Sequence, residues 1–106
     1  MKILTEADAG AEVALSVGET IEVVLSENAT TGYTWAIERI EPAVVTVAER
    51  SSRYPQQGAV GSGGHAVFRL TAATPGKGTV RLRYWREWEG DASAIRRFQF
   101  GVTVAP

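Results

Sequence analysis

The sequence predicts an all-β domain, an immunoglobulin-like β-sandwich of about seven or eight strands. Three observations lead there. Apolar residues recur at every second position in one segment after another, the mark of strands packed on one face. Turn residues cut the chain between those segments, at Gly18, Pro42, Pro75-Gly76 and Gly90. No helical stripe of useful length interrupts the pattern.

Taken in order, "EVALS" (12–16) is a short strand candidate ahead of the turn at Gly18. "TIEVVL" follows, with Ile21, Val23 and Leu25 on one face. In "YTWAIE" the same side carries Tyr33, Trp35 and Ile37. "AVVTVAE" (43–49) is a second short candidate after Pro42. "HAVFRLT" aligns Ala66, Phe68 and Leu70, and "TVRLRYW" sets Val80, Leu82 and Tyr84 against Arg81, Arg83 and Trp85. "FQFGVTV" closes the series with Phe98, Phe100, Val102 and Val104 in register.

The 106 residues make one domain, 1–106, with a core large enough to fold unaided. There is no cysteine, hence no disulfide framework and no thiol chemistry. Eleven basic and 12 acidic side chains leave a net charge of −1, without the basic stripe of a nucleic-acid binder. No apolar run reaches the length of a membrane span, and no secretory leader is visible, so a complete chain would be cytoplasmic. A monomer is the expected state.

Three stretches break the alternation, and loops on a rigid scaffold are where function concentrates. The first is Asn28-Ala29-Thr30-Thr31-Gly32-Tyr33, a connection holding two β-branched threonines. The second is residues 50–64, ending in Gly61-Ser62-Gly63-Gly64. A patternless loop longer than about 12–15 residues is uncommon in a compact domain unless it serves a function. The third is "RYWREWEG" (83–90). If Val80, Leu82 and Tyr84 face the core, Arg83 and Trp85 face outward, a pair typical of interface hot spots. The plainer reading has Trp85 folding over the strand end to cover the core.

Catalysis has little to work with. His65 is the lone histidine. A serine triad of Ser62, His65 and Asp91 can be sketched, but no strand–turn–helix elbow surrounds the serine. No metal-ligand spacing is present, and Gly61–Gly64 lacks the lysine and helix of a phosphate loop, so no cofactor is expected. Asn28-Ala29-Thr30 matches a glycosylation sequon, which matters only in a secreted eukaryotic chain. Tyr84, Trp85 and Trp88 suggest a stacking platform for a sugar.

Together and in order, the three stretches resemble the motifs of the chagasin family, protein inhibitors of papain-like cysteine peptidases. That family carries Asn-Pro-Thr-Thr-Gly-Tyr/Phe, then Gly-x-Gly-Gly, then Arg-Pro-Trp. The counterparts are Asn28 to Tyr33, Gly61 to Gly64, and Arg83-Tyr84-Trp85, with Trp35 matching as well. The resemblance spans nearly the whole chain. It implies an immunoglobulin-like sandwich whose three loops lie side by side. The first would enter the active-site cleft of a papain-like, cathepsin-L-type peptidase while the others embrace the enzyme. Inhibition would be reversible, competitive and tight, without cleavage. The alternative is an immunoglobulin-like module binding another protein or a glycan.

On this reading Thr30 and Thr31 offer hydroxyls and backbone groups to the enzyme's polar centre, their β-branching limiting the entropy lost on binding. Gly61–Gly64 lets the main chain approach closely. Arg83 and Trp85 anchor. Two departures stand out: Ala29 replaces proline, and Tyr84 replaces the proline of the third motif. Trp88 either extends the contact or covers the sandwich end.

Overall fold

A computed structural model describes residues 2–28, 31–53 and 64–106. Eight strands fill these stretches: β1 (Lys2–Leu4), β2 (Glu12–Ser16), β3 (Thr20–Glu27), β4 (Thr34–Glu41), β5 (Val45–Arg53), β6 (Gly64–Ala72), β7 (Gly76–Trp85) and β8 (Arg96–Ala105). They form two four-stranded sheets, ordered β1-β3-β6-β5 and β2-β8-β7-β4. The other regular elements among the described residues are short 3-10 turns at Glu6–Asp8, Glu87–Glu89 and Asp91–Ser93.

The alternation places the core where it predicts. Ile21, Val23 and Leu25 from β3 and Ala66, Phe68 and Leu70 from β6 are buried in one sheet's inner face. Val80, Leu82 and Tyr84 from β7 and Phe98, Phe100, Val102 and Val104 from β8 answer from the other. Trp35 is buried with them, and Tyr33 and Ile37 pack against the cluster from its margin. Close packing of two apolar faces is the main stabilising term, at roughly 25 cal/mol per Å² of apolar surface removed from water.

The structure extends the predicted pattern in two places. β1 was not foreseen: it adds to the edge of β3 in parallel and buries only Leu4. β5 continues through Ser51 and Ser52 to Arg53, and β6 begins at Gly64. Both ends of the supposed 50–64 loop are therefore strand, leaving a connection of residues 54–63. The polar run Arg50–Arg53 is held by backbone pairing with β6 rather than by side-chain burial.

The edges are guarded. β4 and β5 each carry a register shift, between Ile37 and Arg39 and between Val47 and Glu49. Such bulges twist an edge and discourage pairing with another chain.

Direction along the sandwich follows from register. Lys2 pairs with Ile21 and Ala105 with Ser16, beside the turn at residues 17–19. The first and last strands thus leave from one end. The opposite end holds Glu27 paired with Gly64, Thr34 with Trp85, and Tyr84 with Arg96.

Candidate functional site at the loop end

Three connections leave their strands at that opposite end. Residues 54–63 join β5 to β6 within one sheet, and 86–95 join β7 to β8 within the other. Residues 28–33 cross from β3 in the first sheet to β4 in the second. Of the predicted site residues, Ala29, Thr30, Gly61, Ser62 and Gly63 lie outside the described residues. Asn28, Thr31, Gly32, Tyr33 and Gly64 fall at this end, and Arg83, Tyr84 and Trp85 are the last three residues of β7.

The root of the crossing segment is fixed by a polar network on apolar packing. Glu27 is 3% exposed, and its carboxylate accepts the Trp35 amide at 3.1 Å, an Arg50 guanidinium nitrogen at 3.0 Å and the Ser52 hydroxyl at 3.4 Å. The Trp35 indole nitrogen donates to the Ser26 carbonyl at 2.8 Å. A carboxylate this deep is tolerated only with such partners, since removing any one exposes its desolvation cost. Tyr84, 8% exposed, ties the network to the loop. Its ring lies 5.5 Å from Tyr33 and 5.0 Å from Trp35, and its hydroxyl accepts the Asn28 amide at 3.1 Å.

Above this root, Thr31 closes a tight turn. Its amide and hydroxyl both donate to the Asn28 carbonyl, at 3.2 and 2.7 Å, and the hydroxyl accepts the Tyr33 amide at 3.3 Å. The Thr31 hydroxyl is thus already engaged within the loop of the free protein, as short polar side chains in turns often are, while the residue stays exposed. The turn then passes through Gly32 at φ 79°, a left-handed conformation that strains any residue with a β-carbon.

The third connection leans on the first. The Arg86 Nε donates to the Thr31 carbonyl at 3.3 Å, and its guanidinium lies 4.6 Å from the centre of the Tyr33 ring. Another of its nitrogens meets Glu89 at 3.2 Å. Trp88 sets the tip of its indole against Gly32 while remaining 71% exposed. Ser93 closes the loop, its hydroxyl accepting the Arg86 amide at 3.0 Å and lying 2.7 Å from the Gly90 carbonyl.

Arg83 and Trp85 sit differently. They share the outer face of β7, where the guanidinium stacks 3.6 Å from the Trp85 ring centre. Arg83 also pairs with Asp91 at 2.9 Å, Asp91 with Arg97 at 3.2 Å, and Arg97 with Glu38 at 2.9 Å. Trp85 therefore does not fold over the core. The sugar platform is not formed either, because Tyr84 is buried and Arg83 lies over Trp85. Asp91, engaged by two arginines, is not placed as a triad acid for His65, which is exposed on β6. Among the described residues no cluster of metal-binding side chains occurs, and no helix is long and apolar enough to cross a membrane.

Two groups at this end have displaced pKa values. Burial pushes the Glu6 carboxyl up, but hydrogen bonds from Ser26 and the charge of Arg96 outweigh it and hold the group below 4.5. Glu6 thereby joins the end of β3 to the start of β8, across the two sheets. The hydrogen bond and charge of Glu38, with a smaller contribution from Asp91, raise Arg97.

The family model described as "Chagasin family peptidase inhibitor I42" matches residues 14–102. The chain belongs to the chagasin family. It is accordingly a peptidase inhibitor rather than an enzyme. Chagasin from Trypanosoma cruzi is 32% identical over 99 residues, covering 90% of each chain. Amoebiasin-1 from Entamoeba histolytica is 32% identical over 101 residues, covering 95% of this chain and 97% of its own. The crystal structure of a cysteine protease inhibitor from the same organism superposes with a TM-score of 0.85 at 25% identity, covering 98% and 95% of the two chains. The immunoglobulin-like sandwich expected from the sequence is thus the chagasin fold.

What the sequence reasoning missed is the contact of Arg86 with Thr31 and Tyr33, while Trp88 was named there without being placed. The Arg-x-Trp pattern occurs twice, three residues apart, and only the second copy lies beyond the strand. The one signal available was that an alternation unbroken through Trp85 leaves Arg83 and Trp85 inside a strand, with Arg86 the first residue free to turn.

Proposed function

We propose that this chagasin-family chain is a reversible, competitive, tight-binding inhibitor of papain-family cysteine peptidases that blocks the active-site cleft with its loop end. Residues 28–33 form the central wedge. Residues 54–64, with Gly61 to Gly64, and residues 86–95 straddle the enzyme. The observation that supports this reading is that the strand ends joined by 28–33, 54–63 and 86–95 all fall at one end of the sandwich, the first pair in different sheets and the other two each within one sheet. A wedge so held presents backbone to a groove built for extended chain, and its bonding to Thr31, Tyr84 and Arg86 resists the distortion that cleavage requires.

The third anchor in this reading is Trp88 rather than Trp85. An exposed ring next to the wedge is available to stack on an aromatic surface, whereas Trp85 already stacks on its own Arg83. Glu87 takes the place of the family's middle proline in that register. Arg83, Tyr84 and Trp85 then act from beneath, as the support of the site. Three loops of this kind suffice for an interface of about 1,600 Å² in total, usual for peptidase–inhibitor pairs.

The test is a titration of papain and a cathepsin-L-type peptidase during hydrolysis of a peptide substrate. A stoichiometric loss of activity that recovers on dilution, and that higher substrate relieves, is the expected result. Undiminished rates at micromolar protein across several such enzymes would overturn the reading.

A further inference from the structure

We infer that Arg86 is a positioning residue that fastens the first and third connections into one preassembled unit before any peptidase is met; this rests on the inhibitory reading above. Four contacts carry the inference. The Arg86 Nε donates to the Thr31 carbonyl at 3.3 Å. Its guanidinium plane covers Tyr33 with the charge 4.6 Å from the ring centre. Glu89, one turn on, takes another of its nitrogens at 3.2 Å and keeps the side chain from swinging out to solvent. Two residues further along the same segment, Trp88 rests on Gly32.

The geometry uses what only arginine supplies: a flat cation for the aromatic face and separate donors for a carbonyl and a carboxylate. Thr31 and Tyr33 bracket Gly32, the residue on which Trp88 rests. Arg86 therefore holds the wedge at the two points between which the anchor sits. A wedge and an anchor that moved independently would be competent for binding only in the fraction of molecules where both stood correctly, and apparent affinity falls by that fraction. Arg86 raises it.

The experiment compares the intact protein with Arg86→Ala and Arg86→Lys in two measurements. The first is amide hydrogen exchange at Thr31 and Tyr33 in the free protein, with β3 and β7 amides as internal reference. Loss of the clasp is expected to speed exchange at the two loop amides by about fivefold or more while the strands are unchanged. Arg86→Lys, which restores the cation but not the fork, is expected to fall between. The second is the kinetics of papain inhibition, where Arg86→Ala should slow association by a similar factor and change dissociation less. If the loop amides exchange at the intact rate in Arg86→Ala, or if only dissociation accelerates, the inference is overturned and Arg86 acts by touching the enzyme directly. Exchange is read without a peptidase, so failure of the intact protein to inhibit would sink the functional reading while this measurement still decides the clasp.

Discussion

The tip of the Trp88 indole lies 2.6 Å from the point where a β-carbon on Gly32 would stand. Glycine at that position therefore does two things. It reaches the left-handed conformation the turn demands, at φ 79°, and it leaves a seat for the ring. Gly32→Ala is expected to lose about 1 kcal/mol of stability through backbone strain and to lose more in inhibition, because it displaces the indole proposed as the anchor. Paired thermal melts and inhibition constants check this; equal losses in both would mean that Trp88 takes no part in binding.

Trp88 and Trp85 should separate cleanly. Trp88→Ala removes an exposed ring and is expected to weaken inhibition by about 2 kcal/mol or more, with the melting temperature nearly unchanged. Trp85→Ala strips a packed ring from beneath Arg83 and is expected to cost about 1 kcal/mol of stability with a smaller effect on inhibition. The reverse ranking in a peptidase titration would restore Trp85 as the anchor.

Glu27 bears on the root of the wedge. Glu27→Gln keeps the shape but removes the charge that faces Arg50. The expected loss is about 1.5–3 kcal/mol, the range for hydrogen bonds to charged groups, read from urea denaturation. Arg50→Met, which removes the guanidinium from the buried carboxylate, should destabilise at least as much. A neutral Glu27→Gln would show that the network holds no loop geometry.

Glu6 sets a pH dependence. Its folded pKa lies below the ordinary 4.5, so the ionised form is favoured by folding. Its contribution is therefore complete above the unfolded value and disappears as pH falls through the lower folded value. The side chain is 34% exposed, which solvent screening discounts to a fraction of a kcal/mol. The urea midpoints of the intact protein and Glu6→Gln are expected to differ near neutral pH and to converge below 4.5. A gap that widened in acid would overturn the assignment.

Most of the sandwich was legible in the alternation because each core strand sets every second side chain into the apolar core. Ile21, Phe68, Leu82 and Phe100 announce their own orientation. β1 was not legible, since a three-residue edge strand that buries only Leu4 has no period to read. The end of β5 was hidden for a related reason: Arg50 to Arg53 pair through backbone, and backbone pairing leaves no side-chain signature. At the loop end, the Asn28–Tyr33 stretch was visible as an irregularity, but the bond of the Thr31 hydroxyl to the Asn28 carbonyl was not. Composition says that a threonine can donate; only the fold says to which carbonyl. Likewise the spacing of Arg-x-Trp said what the third motif contains, while the place where β7 stops decides which copy is free to serve.

Both chain ends leave the sandwich on the side away from the loops, Lys2 beside Ile21 and Ala105 beside Ser16. A tether at either one leaves the loop end pointing away from the attachment. The domain can therefore be strung in tandem, fused behind another protein or fixed to a bead through its first or last strand, with the loop end away from the join in each case.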